Sequence, residues 1–186
     1  MADFGVSSLT ISTTSSSSPS LTDMNFSVVC YGHGHSVAEY DVPFETWVTS
    51  CPYKAEKWIR GVENWNHNRL HRLIVGLDIE WRPNTKRGEQ NPVAILQLFV
   101  SRTCLIYQLR RAGTIPDGLK NFLKNPNYTF VGVGIEHDKQ KLLRDLEVAE
   151  TADLRERAAY ELTDPDMKKA GLKKLAEVVL RKNVEY

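Results

Sequence analysis

Cysteine is scarce, charge is balanced, and long apolar runs are missing. The three cysteines, Cys30, Cys51 and Cys104, are odd in number, widely separated and without a C-x-x-C pair. That pattern argues against a disulfide scaffold or a cysteine zinc site and points to a reducing compartment. Lys and Arg total 24 against 23 Asp and Glu, a formal net charge of +1. No global basic field is therefore available, and any binding of nucleic acid has to come from local patches. No apolar stretch approaches the ~20 residues of a membrane span. Nor does the start of the chain place a basic segment before an apolar one, as a secretory signal would. A soluble intracellular protein is the expectation.

What is present suits one domain plus a tail: 186 residues, 41% hydrophobic and 25% charged. Residues 1–25 open with a serine-rich stretch that includes Ser15–Ser18 and offers little to pack, so they read as a disordered tail. The tail has no arginine and carries Asp3, which argues against a transit peptide. Residues 26–186 read as the folded domain. Phe26–Tyr31 and Ser36–Val42 read as a hairpin around Gly32-His33-Gly34-His35, whose two histidines are better explained as a solvated turn than as metal ligands. Pro52–Val62 reads as a helix that Ser50 can cap, with Ala55, Trp58 and Ile59 on one side. After the polar link Asn64–Arg72, the segments Leu73–Trp81, Val93–Val100 and Thr103–Leu109 form an antiparallel meander. Pro116–Lys124 is a short helix with Leu119, Phe122 and Leu123 as its apolar side, and Tyr128–Val133 is a strand. Gly132 and Gly134 mark close backbone passage or a sharp exit into the helix Ile135–Leu146. Two last helices follow, Asp153–Tyr160 and Gly171–Leu180, the second with Leu172, Leu175, Ala176 and Val179 inward.

The stretch that organises the chain is Leu73–Trp81, LIVGLDIEW. Side chains alternate along a strand, so Asp78 and Glu80 share one face while Leu77, Ile79 and Trp81 take the other. Two carboxylates on one face of a buried strand repel each other and are poorly solvated unless a positive group sits between them. A divalent cation such as Mg²⁺ or Mn²⁺ suits such hard oxygen ligands. The plain alternative is a strand end with two incidental acids. Asp138 stands in the first turn of a helix, where the dipole alone favours an acid. Its helical phase nevertheless sets it beside Ile135 and Leu142, toward the sheet, where it could share a cation with Asp78 and Glu80.

Taken together, LIVGLDIEW, PVAILQLFV with CLIYQL, TFVGVGIEHDKQKLL, TADLRERA and AGLKKLAEVVL appear in an order that resembles the DEDD-type 3'-5' exonuclease domain. The resemblance is strongest to the Werner-syndrome-type exonucleases and their plant relatives, and covers residues 26–186. It implies an α/β, ribonuclease-H-like fold in which a mixed sheet of some five strands is flanked by helices. It also implies a Mg²⁺ or Mn²⁺ site, nucleic acid as partner, DNA first and RNA second, and a place in the nucleus and/or cytoplasm. Asp78 and Glu80 match the family's first motif and Asp138 its second, while Asp153 matches a structural aspartate that caps the following helix. In that mechanism two cations ~3.5–4 Å apart share Asp78 as a bridge, Glu80 holds one and orients the water, and Asp138 holds the other.

The family's last motif, a Tyr with an Asp four residues on, is unmatched: no Asp follows Tyr186, and Glu177 and Glu185 stand in a different context. A family member cut short before its fourth carboxylate is the expectation, with weak or absent turnover and retained metal affinity. The alternative is a non-catalytic, nucleic-acid-binding or oligomerising relative with an incomplete site; a homo-oligomer stays open. For substrate contacts, Arg82, Lys86 and Arg87 in the loop beside the carboxylates suit backbone phosphates, with a merely solvated loop as the alternative. Trp81 suits either a stacked terminal base or the core. Gln97 is expected to satisfy a backbone group near the site. Lys168, Lys169, Lys173 and Lys174 read as a solvated helix face.

Overall fold

The computed structural model describes residues 26–30, 44–86 and 88–181. The tail, the His33–His35 turn, the strand expected at 36–42, Arg87, Glu185 and Tyr186 lie outside the described residues. In chain order the elements are β1 (Phe26–Cys30), β2 (Phe44–Thr49), α1 (Pro52–Trp65), β3 (Leu73–Trp81), β4 (Val93–Val100), β5 (Thr103–Tyr107), α2 (Asp117–Lys124), β6 (Tyr128–Gly132), α3 (Ile135–Leu142), β7 (Glu150–Asp153), α4 (Leu154–Glu161) and α5 (Leu172–Leu180). Short 3-10 turns cover His67–Arg72 and Pro165–Lys169.

The strands form one mixed sheet in the order β1-β2-β5-β4-β3-β6-β7. The expected meander β3-β4-β5 is antiparallel, and β6 runs parallel to β3. Among the described residues the sheet holds seven strands, where some five were expected. One of the additions is β2, where the β-branched and aromatic residues Thr46, Trp47, Val48 and Thr49 suit a pleated, half-buried surface. β2 pairs antiparallel with β1. The other is β7, a short edge strand without an apolar run, which forms because β6 offers its free edge in parallel.

β3 lies between β4 and β6, and its burial alternates as a period of two requires: Leu73, Val75, Leu77 and Ile79 are buried. Against them pack Ala55, Trp58, Ile59 and Val62 of α1, Leu119, Phe122 and Leu123 of α2, and Ile135 and Leu142 of α3. Phe122 sits centrally, its ring 5.0 Å from Tyr128 and 6.2 Å from both Trp58 and Phe130. α1 starts on Cys51 rather than on a Ser50 cap, and Thr49 Oγ1 instead accepts from the Cys51 amide at 3.0 Å. A second, smaller cluster joins Ala158 and Ala159 of α4 to Met167 and Leu175. In α5 only Leu175 is buried, while Leu172 and Val179, expected inward, are 57% and 55% exposed. The helix meets the α4 cluster through Leu175, with Val178 partly buried against it.

Strand direction sets where chemistry can gather. β2 is parallel to β5, β5 and β3 are both antiparallel to β4, and β3, β6 and β7 are parallel. Five strands therefore end along one edge, where α1, α2, α3 and α4 also begin. In open α/β sheets ligands bind outside such carboxyl ends.

Candidate active site

Asp78 and Glu80 lie on β3 close to that edge, on the face opposite Leu77 and Ile79. Both are exposed, which corrects the expectation of poor solvation. That face of β3 is open at these positions, so water solvates each carboxylate. Gln97 stands across from Asp78 in the β3–β4 register, and its Nε2 donates to Asp78 Oδ2 at 3.4 Å. Its partner is thus a candidate site carboxylate and not the backbone group expected.

Asp138 differs from them in being buried, with 8% of its surface exposed, on the side of α3 that also buries Ile135 and Leu142. Burial pushes its carboxyl up to about 6; the charge of Asp78 adds to this, His137 opposes it, and Glu80 and Asp153 contribute further. Asp78 and Glu80 on β3 thus act on Asp138 of α3, and none of the three takes part in a salt bridge among the described residues. Among those residues no three His, Cys, Asp or Glu side chains stand close enough together, in the rotamers present, to hold a metal ion.

Two glycines and one aspartate put α3 where it is. A Cβ on Gly132 would lie 2.7 Å from the Leu77 carbonyl oxygen, so a glycine lets the end of β6 run this close beside the residue before Asp78. Gly134, at the start of α3, has φ +74°, the left-handed region that glycine enters without steric cost. Its amide donates to Asp153 Oδ2 at 3.0 Å. Asp153 also caps α4, accepting from the Arg155 amide at 2.9 Å, and pairs with the Arg155 guanidinium through Nε at 3.1 Å and Nη2 at 2.7 Å. The hydrogen bonds from Arg155 hold the Asp153 carboxyl below its ordinary range. The expected capping role is present, together with a tie to α3 that sequence reasoning did not contain.

Trp81 is half-buried and packs against the main core. The Lys141 ammonium lies 4.4 Å from the centroid of its ring, and the His137 ring lies 5.7 Å away. Both partners come from α3 and neither was singled out from the sequence. The available signal was their i, i+4 spacing on either side of Asp138 in IEHDKQKL. Arg82 and Lys86 are exposed in the loop after β3. That loop is tied by the Glu89 carboxylate, which accepts from the amides of Thr85 at 2.7 Å and Lys86 at 3.1 Å. Lys168 is exposed and pairs with Glu156 at 2.7 Å, and Lys169, Lys173 and Lys174 are exposed as expected. No helix among the described residues is long and apolar enough to cross a membrane.

Comparison with known proteins gives this arrangement a family. The family model described as 3'-5' exonuclease matches residues 47–186. The mouse bifunctional 3'-5' exonuclease/ATP-dependent helicase WRN is 43% identical over 76 residues, which is 40% of this chain and 5% of that protein. An Arabidopsis thaliana 3'-5' exonuclease is 33% identical over 115 residues, 60% of this chain and 39% of that one. The chain thus spans less than half the length of these curated relatives. Among solved structures, the EXD2 exonuclease domain soaked in Mg and GMP superposes with a TM-score of 0.55 at 25% identity, covering 75% of this chain and 70% of that one. Escherichia coli RNase D superposes with a TM-score of 0.59 at 16% identity over 74% of this chain and 34% of that one, a likeness of fold alone. These neighbours bear out the ribonuclease-H-like fold, and the family model spans the whole route from β2 through the carboxylates of β3 and α3 to α5: the chain belongs to the 3'-5' exonuclease family.

Proposed function

We propose that this chain is a metal-dependent 3'-5' exonuclease domain that hydrolyses phosphodiester bonds at the 3' ends of DNA, with RNA as the second candidate substrate, in the nucleus and/or cytoplasm. The observation that supports the proposal is that buried Asp138 feels the charges of Asp78 and Glu80 near the strand-end edge. The donor set fits Mg²⁺ or Mn²⁺: three carboxylates, one of them buried among like charges that a cation would neutralise. Asp78, Glu80 and Asp138 would hold the cation. Bound there, it would supply a hydroxide at neutral pH and offset charge on the phosphate and the leaving oxygen.

The remaining work falls to the chain itself. Exposed Asp78 and Glu80 can change rotamer toward a ligand, while Asp138 is fixed by a helix anchored through Gly134 and Asp153. The Gln97 amide limits where Asp78 Oδ2 can turn. Arg82 and Lys86, and by sequence Arg87, supply cations for backbone phosphates.

The test is a 3'-recessed duplex incubated with Mn²⁺ and either this chain or Asp78→Ala. Stepwise release of mononucleotides from the 3' end by the wild type, absent from the variant, is the expected result. Retention of the duplex with no Mn²⁺-dependent release by the wild type would instead identify a binding relative without catalysis.

A further inference from the structure

The turn after β5 carries two adjacent arginines, Arg110 and Arg111, both exposed. It is held from several sides. The Gln108 amide donates to the Thr49 carbonyl of β2 at 2.9 Å, and the Arg110 amide to the Ala94 carbonyl of β4 at 3.3 Å. The amides of Arg111 and Ala112 both donate to the Gln108 carbonyl at 3.0 Å. Leu109 and Ala112 pack against the main core, and the buried Tyr107 donates its hydroxyl to the Thr114 carbonyl at 3.1 Å. The backbone is thus anchored while two guanidinium groups stay in solvent. Among the described residues neither forms a salt bridge, whereas six other cations do. Two neighbouring like charges held on a fixed turn without an acid call for an anionic partner.

Strand register relates this turn to the carboxylates. Glu80 pairs with Ile95 of β4, and Leu96 of β4 pairs with Tyr107 of β5. The residues just after Tyr107 therefore continue the row that contains Glu80, two strands or ~10 Å away at ~4.8 Å per strand. The loop with Arg82 and Lys86 joins the top of β3 to β4, the strand between them. Its acid, Glu89, is engaged by the amides of Thr85 and Lys86. From Glu80 outward the edge thus runs through Arg82 and Lys86 to Arg110 and Arg111.

We propose that Arg110 and Arg111 bind the phosphodiester backbone of a nucleic-acid strand whose 3' end lies at Asp78, Glu80 and Asp138, so that the strand crosses from β3 over β4 to β5. This rests on the function proposed above and extends it to the part of the substrate that is not cleaved. The chemistry favours it. Three carboxylates repel a polyanion, so affinity has to come from cations set apart from them, and guanidinium forks match phosphate oxygens two at a time. Such contacts fix register without reading sequence and weaken as salt rises.

The experiment measures binding, not turnover. A labelled single-stranded oligonucleotide is titrated by fluorescence anisotropy, in chelator so that cleavage is silent, between ~50 and ~200 mM salt. The full chain is compared with Arg110→Gln/Arg111→Gln and with Arg69→Gln/Arg102→Gln. The second pair belongs to the opposite edge, where Arg69 Nη2 donates to Ser101 Oγ at 3.0 Å. Removing two phosphate contacts should weaken binding about tenfold at low salt and reduce the salt slope by ~1.4. The opposite-edge pair should bind within twofold of wild type, and matching thermal melts should show all three folded. Wild-type affinity and slope in Arg110→Gln/Arg111→Gln, or equal losses in both pairs, would overturn the assignment while leaving the proposed function standing. No binding of any oligonucleotide by the wild type would overturn both.

Discussion

Asp138→Asn should stabilise this protein at neutral pH when metal is withheld. The carboxyl is buried beside Asp78 and Glu80, which together with burial raise it from 3.8 to about 6. A carboxyl whose folded pKa lies above its unfolded value binds a proton more readily when folded, so stability falls as pH rises from about 4 to about 6. Below that window the group is neutral in both states and costs nothing; above it the full cost is present. The rise corresponds to at most ~3 kcal/mol at ~1.36 kcal/mol per pH unit. Solvent at the mouth of the site, where Asp78 and Glu80 are exposed, screens part of this and leaves about 1–2 kcal/mol. For a domain of this size that is ~2–8 °C in Tm. The assay is thermal unfolding of both proteins in chelator between pH 4.5 and pH 7.5. The variant's advantage should grow across the window, and saturating Mn²⁺ at pH 7.5 should offset it by stabilising the wild type more than the variant. A difference in Tm that stays flat with pH, or that favours the wild type in chelator, would refute the electrostatic reasoning.

Two further substitutions test how α3 is held. Gly132→Ala brings a Cβ within 2.7 Å of the Leu77 carbonyl, a backbone atom with little room to yield, and should cost about 1–3 kcal/mol in urea unfolding. Because the strain falls beside Asp78, the same variant should also lose Mn²⁺ affinity. Asp153→Ala removes the cap of α4, the pair with Arg155 and the bond from the Gly134 amide, and should cost about 1–2 kcal/mol at pH 7. The Asp153 carboxyl is held below its ordinary value, so its contribution is present above the unfolded pKa and disappears as pH falls through the folded one. Denaturation curves of wild type and Asp153→Ala should therefore converge in acid.

How much of this was legible in the sequence depended on whether the cause was local. The period of two in LIVGLDIEW assigned Asp78 and Glu80 to one face, and the phase of IEHDKQKL set Asp138 inward; the structure has both. Gly132 and Gly134 were readable because each meets a backbone demand that its neighbours announce. What the sequence hid came from tertiary partners. β7 is a strand only because β6 has a free edge, and Glu150–Asp153 carries no apolar pattern of its own. Asp78 and Glu80 seemed destined for burial, yet their face of the sheet is open there. Gln97 finds a side-chain partner that only the β3–β4 register supplies. Lys141 reaches Trp81 across two elements far apart in the chain. Leu172 and Val179 show the converse: the stripe on α5 is helical in period, but the described residues do not cover it.

The central claim is that Asp78, Glu80 and Asp138 converge on one cation site. Mn²⁺ binding, followed by the loss of the free-ion electron paramagnetic resonance signal, tests it without requiring turnover. Wild type should take up Mn²⁺ with an affinity that falls about tenfold or more, ~1.4 kcal/mol, in each of Asp78→Asn, Glu80→Gln and Asp138→Asn. Arg69→Gln/Arg102→Gln should bind it as the wild type does. Unchanged affinity in any one of the three carboxylate variants, or no uptake by the wild type, would contradict the account.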